Sequence, residues 1–381
     1  MRILFVNTKY GFWGGVEKYI FKTAGLLKKS GYEIYGLFEQ PSENLEDFES
    51  AFDKCIIYKN ESLSQLKEKI GKTDIVFIHK ITNNKLLKML IKNFTTLVMI
   101  HDHDYYCIRH HKYFPVNRKN CHHPFGMMRC SICSKLLERS DGRFPVRIIN
   151  IFQRARTLKL IRKADAFFVL SEFMRLNLVM NKFEKESIYK IYPFIETKEC
   201  REKLPAETTE LLYIGQIIRG KGVDLLIEIV RLIKKPFHLS IVGKGNDEES
   251  IKQYIKESGL QDKVEFIGWT SNVDSYYNKA DILLVPSRWQ EPFGLIGIEA
   301  FSHRKPVVGF DVGGIGEWLK NGVNGYLIQE QDILQFATKI EKLIKDPALT
   351  KKMGKAGYDL VEKKYKKENF LEAFNKILET I

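Results

Sequence analysis

The sequence predicts an α/β protein of two domains, each built on a parallel β-sheet covered by helices. Short apolar runs of strand length alternate with amphipathic stretches of helix length along the whole chain, which is typical of such sheets. A charged stretch with Pro205 inside it interrupts the alternation once, and the alternation then restarts. With 381 residues, 44% hydrophobic and 28% charged, the chain can bury two ordinary cores.

Ten short apolar runs are predicted as strands, because each has the length and composition of a buried strand. In the first half they are residues 3–7, 34–38, 75–79, 97–101 and 166–170. In the second half they are residues 211–215, 238–242, 264–267, 282–286 and 306–310. This order predicts an N-terminal domain over 1–195, a linker over 196–209 and a C-terminal domain over 210–367.

A last helix is predicted over 368–381. It must bury its apolar face, and the N-terminal domain is one place where it can pack. The apolar positions of this helix are Phe370, Leu371, Phe374, Ile377 and Leu378.

Basic residues exceed acidic ones by 61 to 47, a formal net charge of +14. This balance favours an anionic partner, either nucleic acid, lipid headgroups or a phosphorylated substrate. No apolar run approaches the roughly 18 residues that a membrane-spanning helix needs, and the N-terminal run 1–6 is typical of a buried strand rather than a signal peptide. The six cysteines are too unevenly placed for a disulfide framework. We therefore expect a cytoplasmic protein, either soluble or peripheral on a membrane.

The sharpest pattern of the second half is Glu291-Pro-Phe-Gly-Leu-Ile-Gly-Ile-Glu299, just after a predicted strand. Ligands bind beyond the carboxyl ends of the strands in an open parallel sheet. Gly294 is expected to open a helix, whose free N–H groups and dipole favour an anion such as a diphosphate. Glu299 would lie about one and a half turns inside that helix. One carboxylate could then meet a sugar and the other a nucleotide hydroxyl.

A glycine-rich loop follows the strand predicted over 211–215. Glycines let the backbone approach a phosphate, while Arg219 and Lys221 supply positive charge. By itself this segment is equally typical of an ordinary basic turn. Similar strand-to-loop transitions follow at 241–245 and at 266–269, where Trp269 could lie against a base.

In these motifs the second half resembles the C-terminal domain of GT-B glycosyltransferases of family 4, whose hallmark is two glutamates separated by seven residues. The first half also fits. The resemblance implies a GT-B fold of two Rossmann-like doubly wound domains facing a cleft, and a retaining glycosyltransferase. It implies that Glu291 contacts the transferring sugar, that Glu299 binds the ribose and that Lys221 contacts the diphosphate. Gln216 departs from the family, where arginine is common, and Arg219 is expected to take over its phosphate role. The implied donor-binding residues are Gly14, Gly15, Arg219, Lys221, Gly294, Leu295, Ile296 and Glu299.

In the first half, Gly14 and Gly15 follow the first strand and would otherwise be interpreted as a helix cap. The family's paired glycines lie across the cleft from the donor diphosphate. His101, at a predicted strand end, becomes the second implied catalytic residue beside Glu291, and the role of Asp102 stays open. The implied mechanism is front-face displacement, in which the leaving phosphate helps to deprotonate the acceptor, with no obligatory divalent metal.

The segment 107–133 contains four cysteines and four histidines. The close spacing of the last two cysteines suits a shared metal ion, and the other two could complete a tetrahedral structural zinc site. Reduced unpaired cysteines and disulfides are the alternatives. The candidate ligands are Cys107, Cys121, Cys130 and Cys133.

Seven basic residues and no acidic one occur over 143–163, with apolar residues at helical spacing. The pattern fits either a helix on an anionic membrane surface or a solvated outer helix. The expected partners are a UDP- or GDP-sugar donor, a glycan or lipid-linked acceptor and the inner face of the plasma membrane, as in surface polysaccharide or glycolipid biosynthesis. The alternatives are a GT-B epimerase or phosphorylase and, in another class, a non-catalytic basic protein that binds nucleic acid. That last class leaves the Glu291 pattern unexplained.

Overall fold

The structure is a computed structural model that describes residues 1–41, 47–114, 119–134, 137–139, 146–197 and 207–381. The chain forms two compact units. The N-terminal unit comprises Met1–His111, His122–Ile191 and Leu371–Ile381. The C-terminal unit comprises Lys112–Cys121 and Tyr192–Phe370.

The N-terminal unit is built on seven parallel strands in the order β11-β10-β5-β4-β1-β2-β3. The strands are β1 (Arg2–Lys9), β2 (Glu33–Gln40), β3 (Lys54–Ile57), β4 (Ile75–Ile78), β5 (Thr96–Met99), β10 (Ala166–Val169) and β11 (Ile188–Lys190). The central strands are buried on both faces, as in a sheet covered by helices on either side. The strand order reverses between β1 and β4, so a ligand is expected beyond their carboxyl ends.

Helices and one short hairpin complete this unit. The helices are α1 (Gly15–Lys29), α2 (Leu63–Ile70), α3 (Asn84–Asn93), α4 (Met127–Ser134), α5 (Ile151–Ile161) and α6 (Glu172–Met180). The antiparallel hairpin pairs β8 (Leu137–Arg139) with β9 (Val146–Ile148). The predicted basic stretch 143–163 is therefore not one helix, because its residues 146–148 pair as a strand and α5 begins only at Ile151.

The C-terminal unit is built on six parallel strands in the order β14-β13-β12-β15-β16-β17. The strands are β12 (Thr209–Ile214), β13 (Phe237–Val242), β14 (Val264–Gly268), β15 (Ile282–Val285), β16 (Val307–Phe310) and β17 (Gly325–Ile328). The helices are α7 (Val223–Arg231), α8 (Glu248–Glu257), α9 (Val273–Lys279), α10 (Leu295–Ser302), α11 (Ile333–Lys345) and α12 (Pro347–Lys364). This is a doubly wound sheet whose order reverses between β12 and β15.

The division of the chain differs from the predicted boundary at 196–209. The main segment of the C-terminal unit begins at Tyr192. There the Ile195 N–H donates to the carbonyl of Tyr365, the C-cap residue of α12, at 2.8 Å. The unit also includes Lys112–Cys121, which was predicted to belong to the N-terminal domain. That segment forms a hairpin of β6 (Tyr113–Phe114) and β7 (Lys119–Asn120). Residues 198–206 of the predicted linker lie outside the described residues.

The last helix, α13 (Lys367–Leu378), ends in the N-terminal unit. Phe374 is fully buried, with its ring centroid 6.0 Å from that of Phe77 and 5.8 Å from that of Phe168. The Tyr32 hydroxyl donates to the Asn375 side chain at 2.7 Å. The apolar face seen in the sequence thus packs on the sheet of this unit. Among the described helices, none is both long and apolar enough to cross a membrane.

Candidate functional site

Two loops of the C-terminal unit meet where the strand order reverses. One loop, 215–222, follows β12, and the other, 286–294, follows β15. The Gly220 carbonyl accepts from the N–H of Arg288 at 2.9 Å and from that of Trp289 at 3.2 Å. These hydrogen bonds join the two loops at the sheet edge where a ligand is expected.

Gly222 is required where the first loop enters α7. Its φ of +72° lies in the left-handed region, and an added Cβ would lie 1.9 Å from the Pro286 carbonyl oxygen. An L side chain is strained in that conformation and cannot fit in that space. The close approach brings the second loop against the residue that follows Lys221.

The Glu291 carboxylate is buried and receives three donors on one oxygen. Its Oε1 accepts from the Lys221 Nζ at 2.6 Å, from the Ser287 Oγ at 2.6 Å and from the Trp289 Nε1 at 3.0 Å. The Glu291 side chain is 7% exposed and that of Lys221 is 23% exposed. The structure thus joins two residues that the sequence predicted separately.

Burial acts to raise the pKa of Glu291, but the charge of Lys221 and the three hydrogen bonds outweigh it and lower the pKa. The carboxylate is therefore ionised at neutral pH and is not a proton donor there. The main chain of Glu291 is held as well, because the Gly314 N–H donates to its carbonyl at 2.7 Å. Gly314 lies in the glycine-rich stretch 313–317, which therefore contacts the site.

Helix α10 begins at Leu295, and Ile296 is its second residue, as the sequence predicts. Gly294 caps it with a φ of +82°. Beneath it lies Trp318, fully buried, whose indole N–H donates to the Phe293 carbonyl at 2.6 Å. The indole fixes the direction in which the helix starts, and the N–H groups of a first helical turn favour an anion.

Glu299 is held from the side by Tyr277 on α9. The Tyr277 hydroxyl donates to the Glu299 Oε2 at 3.1 Å and lies 3.3 Å from the Ile296 carbonyl. Burial, followed by the charge of Glu299, raises the pKa of Tyr277 well above its usual value. The Tyr277 ring stacks on His303 with a centroid separation of 5.1 Å. Glu299 and Glu291 are therefore held by different side chains.

The other predicted cation, Arg219, is exposed, as is Gln216. The unpredicted Arg288 is 2% exposed and donates through Nη1 to the Arg219 carbonyl at 3.1 Å and to the Asp224 carboxylate. The Arg288 guanidinium thus binds groups inside the protein, whereas the charge of Arg219 faces solvent. Trp269 is 67% exposed, with the Lys244 Nζ 5.6 Å from its ring centroid.

In the N-terminal unit, Gly14 and Gly15 lie at the start of α1, where Gly14 is the N-cap. His101 lies two residues beyond β5, and its Nε2 is 2.9 Å from the Nδ1 of His79. Burial, followed by the charge of Lys80, lowers the pKa of His101 to about 3. The His79 ring stacks on that of His101, and its Nε2 has no hydrogen-bond partner among the described residues. Both rings are therefore neutral at physiological pH.

Asp102 lies beside Lys80, at 3.6 Å from its Nζ, and burial followed by the nearby Asp104 raises its pKa to about 6. Asp104 pairs with Lys80 and also with His110, whose Nδ1 is 2.5 Å away. Burial acts to raise the pKa of Asp104, but these two partners outweigh it and lower the pKa. Of the two carboxylates, Asp102 is thus the one that titrates near neutral pH.

The four candidate zinc ligands are each half-buried. Cys130 and Cys133 lie three residues apart on α4, and the Cys130 Sγ accepts from the Gly126 N–H at 3.5 Å. Among the described residues, no group of three or more Cys, His, Asp or Glu side chains is placed to hold a metal ion. Cys121 belongs to the C-terminal unit, unlike the other three. The zinc site therefore stays a prediction.

Several side chains at the site were not predicted. His79 ends the predicted strand 75–79, so the signal that identified His101 also applied to it. The others carry no signal of their own in the sequence. Arg288, Tyr277 and Trp318 act through contacts to residues distant in sequence, whereas Ser287 and Trp289 reach Glu291 within one loop.

Known proteins share this fold and this sequence pattern. Residues 195–360 match the family model described as glycosyl transferases group 1. The poly(ribitol-phosphate) alpha-N-acetylglucosaminyltransferase of Staphylococcus aureus (strain COL) is 29% identical over 216 residues, 55% of this chain and 43% of that protein. The poly(glycerol-phosphate) alpha-glucosyltransferase of Bacillus subtilis (strain 168) is 31% identical over 184 residues, 46% and 27% of the two chains. The matches thus span about half or less of these relatives' length.

Over the whole chain, the crystal structure of Anabaena HepE in complex with UDP superimposes with a TM-score of 0.77 and 16% sequence identity, covering 100% of both chains. At that identity the likeness concerns the fold. The two doubly wound units give this chain the GT-B fold, and its residues 195–360 match the glycosyl transferases group 1 family.

Proposed function

We propose that the chain is a retaining glycosyltransferase that moves a sugar from a UDP- or GDP-linked donor to a glycan or lipid-linked acceptor. The observation that carries the proposal is the part-buried Lys221–Glu291 pair at the point where the strand order reverses, beside the start of α10. A cation, a helix N-terminus and an oriented carboxylate are what a nucleotide diphosphate sugar requires. The family match and the UDP bound in HepE support a nucleotide donor.

The state of Glu291 supports a binding role for this carboxylate. Three donors converge on Oε1, so we infer that Oε2 is the oxygen presented to a sugar hydroxyl. A carboxylate whose negative charge is compensated by three donors is a poor nucleophile. Its lowered pKa also does not suit it as a general acid at neutral pH. Front-face displacement, with the leaving phosphate deprotonating the acceptor, needs neither role from the protein. The word alpha in the names of both transferase relatives is compatible with retention.

The remaining roles follow the same proposal. Lys221 and the first turn of α10, Gly294 to Ile296, would bind the diphosphate, with Arg219 adding charge from solvent. Glu299, held by Tyr277, would accept from a ribose hydroxyl. Gly14, Gly15 and His101 would also take part. The neutral ring of His101 suits a hydrogen bond to a sugar hydroxyl better than contact with a phosphate.

Nucleoside diphosphates should stabilise the protein by mass action. At 100 times its dissociation constant, the matching one is expected to add about 2.7 kcal/mol to the free energy of unfolding, seen as a higher melting temperature. UDP and GDP are compared with ADP, and wild type with Lys221→Gln, which should lose most of the shift. Lys256→Gln, in the last turn of α8, is the matched control and should keep it. A well-folded protein that responds to none of these nucleotides would contradict the donor site.

We further propose that the N-terminal unit docks on anionic membrane at the inner face of the plasma membrane, through α5. The Phe152 side chain is 65% exposed, and Arg156, Lys159 and Lys163 are exposed near it in sequence. An exposed aromatic ring beside several cations is typical of a helix that lies in a lipid interface. This placement would suit an acceptor carried on a lipid.

Binding to vesicles tests the membrane surface. Co-sedimentation with vesicles of phosphatidylcholine containing phosphatidylglycerol is expected, and about tenfold less with Phe152→Ser, since a buried aromatic ring contributes more than 1.4 kcal/mol. Leu334→Ser is the control, because Leu334 is 67% exposed on α11. Equal binding of both variants, or none by wild type, would refute α5 as the docking surface.

A further inference from the structure

The hairpin Lys112–Cys121 belongs to the C-terminal unit, although the residues on either side of it belong to the N-terminal unit. Its strands pair Tyr113 with Asn120, and the Cys121 N–H donates to the Lys112 carbonyl at 2.6 Å, which closes its base. We call its described residues, 112–114 and 119–121, the inserted hairpin. It forms part of the cysteine- and histidine-rich segment, to which the proposed function assigns no role.

The inserted hairpin holds the loop that carries Glu291 on both sides of Trp289. The Asn120 Nδ2 donates to the Arg288 carbonyl at 2.8 Å and to the Glu330 Oε1 at 2.8 Å. In return, the Gln290 Nε2 donates to the Cys121 carbonyl at 2.9 Å. Trp289 lies between these two contacts, and its indole N–H donates to Glu291.

These contacts are partly shielded from water, because the side chains on the loop are buried. Gln290 is 3% exposed and Arg288 is 2% exposed. On its other side, Arg288 is held by Asp224 and by the Arg219 carbonyl. The loop at 288–291 is therefore clamped between the inserted hairpin and the turn at 219–224. A hydrogen bond in a part-buried setting restricts the loop more than a fully exposed one.

We infer that the inserted hairpin sets the position of Glu291, with Asn120 and Gln290 as positioning residues for the step in which the sugar is transferred. The inference rests on the proposed function. The hydrogen bonds from the inserted hairpin end on the loop that leads to Glu291. They do not reach Glu299 or the first turn of α10. Removing them should therefore slow transfer while leaving the nucleotide's affinity unchanged, because a displaced group costs rate even when binding is intact.

Asn120→Ala removes both of its side-chain hydrogen bonds, and Lys119→Ala, exposed on the same hairpin, is the matched control. In the full chain, Asn120→Ala is expected to speed hydrogen exchange at the 288–291 amides about tenfold, the upper scale of one neutral hydrogen bond. The rate of sugar transfer, measured with the nucleotide sugar whose diphosphate stabilises the protein, is expected to fall about tenfold. The shift in melting temperature caused by UDP or GDP should be retained. Lys119→Ala should match wild type in every readout.

Two further variants separate the two hydrogen bonds of Asn120. Glu330→Gln leaves the Asn120 amide able to donate to the Arg288 carbonyl, so exchange and turnover should stay near wild type. Asn120→Asp keeps the size of the side chain, but its carboxylate cannot donate to the Arg288 carbonyl, and it should exchange and turn over as poorly as Asn120→Ala. Unchanged exchange in Asn120→Ala, or wild-type turnover despite faster exchange, would overturn the inference. If instead wild type binds no nucleotide, the proposed function fails, and the exchange data still decide whether the hairpin holds the loop.

Discussion

Replacing Glu291 with glutamine is expected to lower the rate of sugar transfer by about 10²- to 10³-fold, the scale found when one oriented charge-stabilising group is removed. Glutamine keeps the shape of the side chain and an oxygen to accept from Ser287 and Trp289, but it has no negative charge. The shift in melting temperature by the nucleotide should persist, because Lys221 is released from its ion pair. Transfer rate and thermal shift are measured on the same preparation.

The alanine variant is less informative. It leaves Lys221 without its carboxylate partner, and breaking a buried pair costs up to about 3–5 kcal/mol, an upper bound here because Lys221 is 23% exposed. A loss of activity could then reflect a weakened fold. Glu362→Gln, on α12 in an ion pair with Lys366, is the control and should transfer normally. A wild-type rate for Glu291→Gln would refute the assignment of the sugar site.

Gly222→Ala is expected to destabilise the C-terminal unit by at least about 3 kcal/mol and to abolish the nucleotide-dependent shift. The left-handed conformation alone costs an L residue about 1–2 kcal/mol. The new methyl group would also lie 1.9 Å from the Pro286 carbonyl oxygen, so the two loops must separate. Lys221, the preceding residue, moves with them. Urea unfolding and the nucleotide thermal shift measure the two effects.

Gly259→Ala is the matched control for this experiment. Its φ of +66° is similar to that of Gly222, but nothing lies within 4 Å of an added Cβ. This variant should therefore show the conformational cost alone, about 1–2 kcal/mol, and keep the full nucleotide shift. Equal destabilisation by both variants would show that contact with Pro286 does not matter.

Local patterns were enough for much of the fold. All ten predicted strands overlap observed ones, and α10 begins directly after Gly294, because the alternation of apolar residues and the position of glycine act over a few residues. The strands missed in the two large sheets, β3, β11 and β17, all lie at sheet edges, and the hairpin strands β6 to β9 were missed as well. An edge strand is only half covered and needs less apolar sequence, so its pattern is weak.

The inserted hairpin shows where local reasoning fails. Its residues carry no sign that they leave the N-terminal unit, since their partners are chosen by contacts such as that from Gln290 to Cys121, 169 residues apart. The cysteine spacing suggested a metal site for a similar reason. Spacing alone does not tell whether Cys121 shares a unit with Cys130 and Cys133.

By itself the sequence determined two parallel-sheet units, the edge of each sheet where a ligand is expected, and the identity of Glu291, Glu299 and Lys221 as candidates. Only the tertiary structure decided that Lys221 and Glu291 form a buried pair across 70 residues, and that Tyr277 and Trp289 support the two glutamates. The physical reason is range. Backbone propensity and hydrophobic periodicity are written in neighbouring residues, whereas the position and pKa of a buried carboxylate depend on groups that only the folded chain brings within 3 Å.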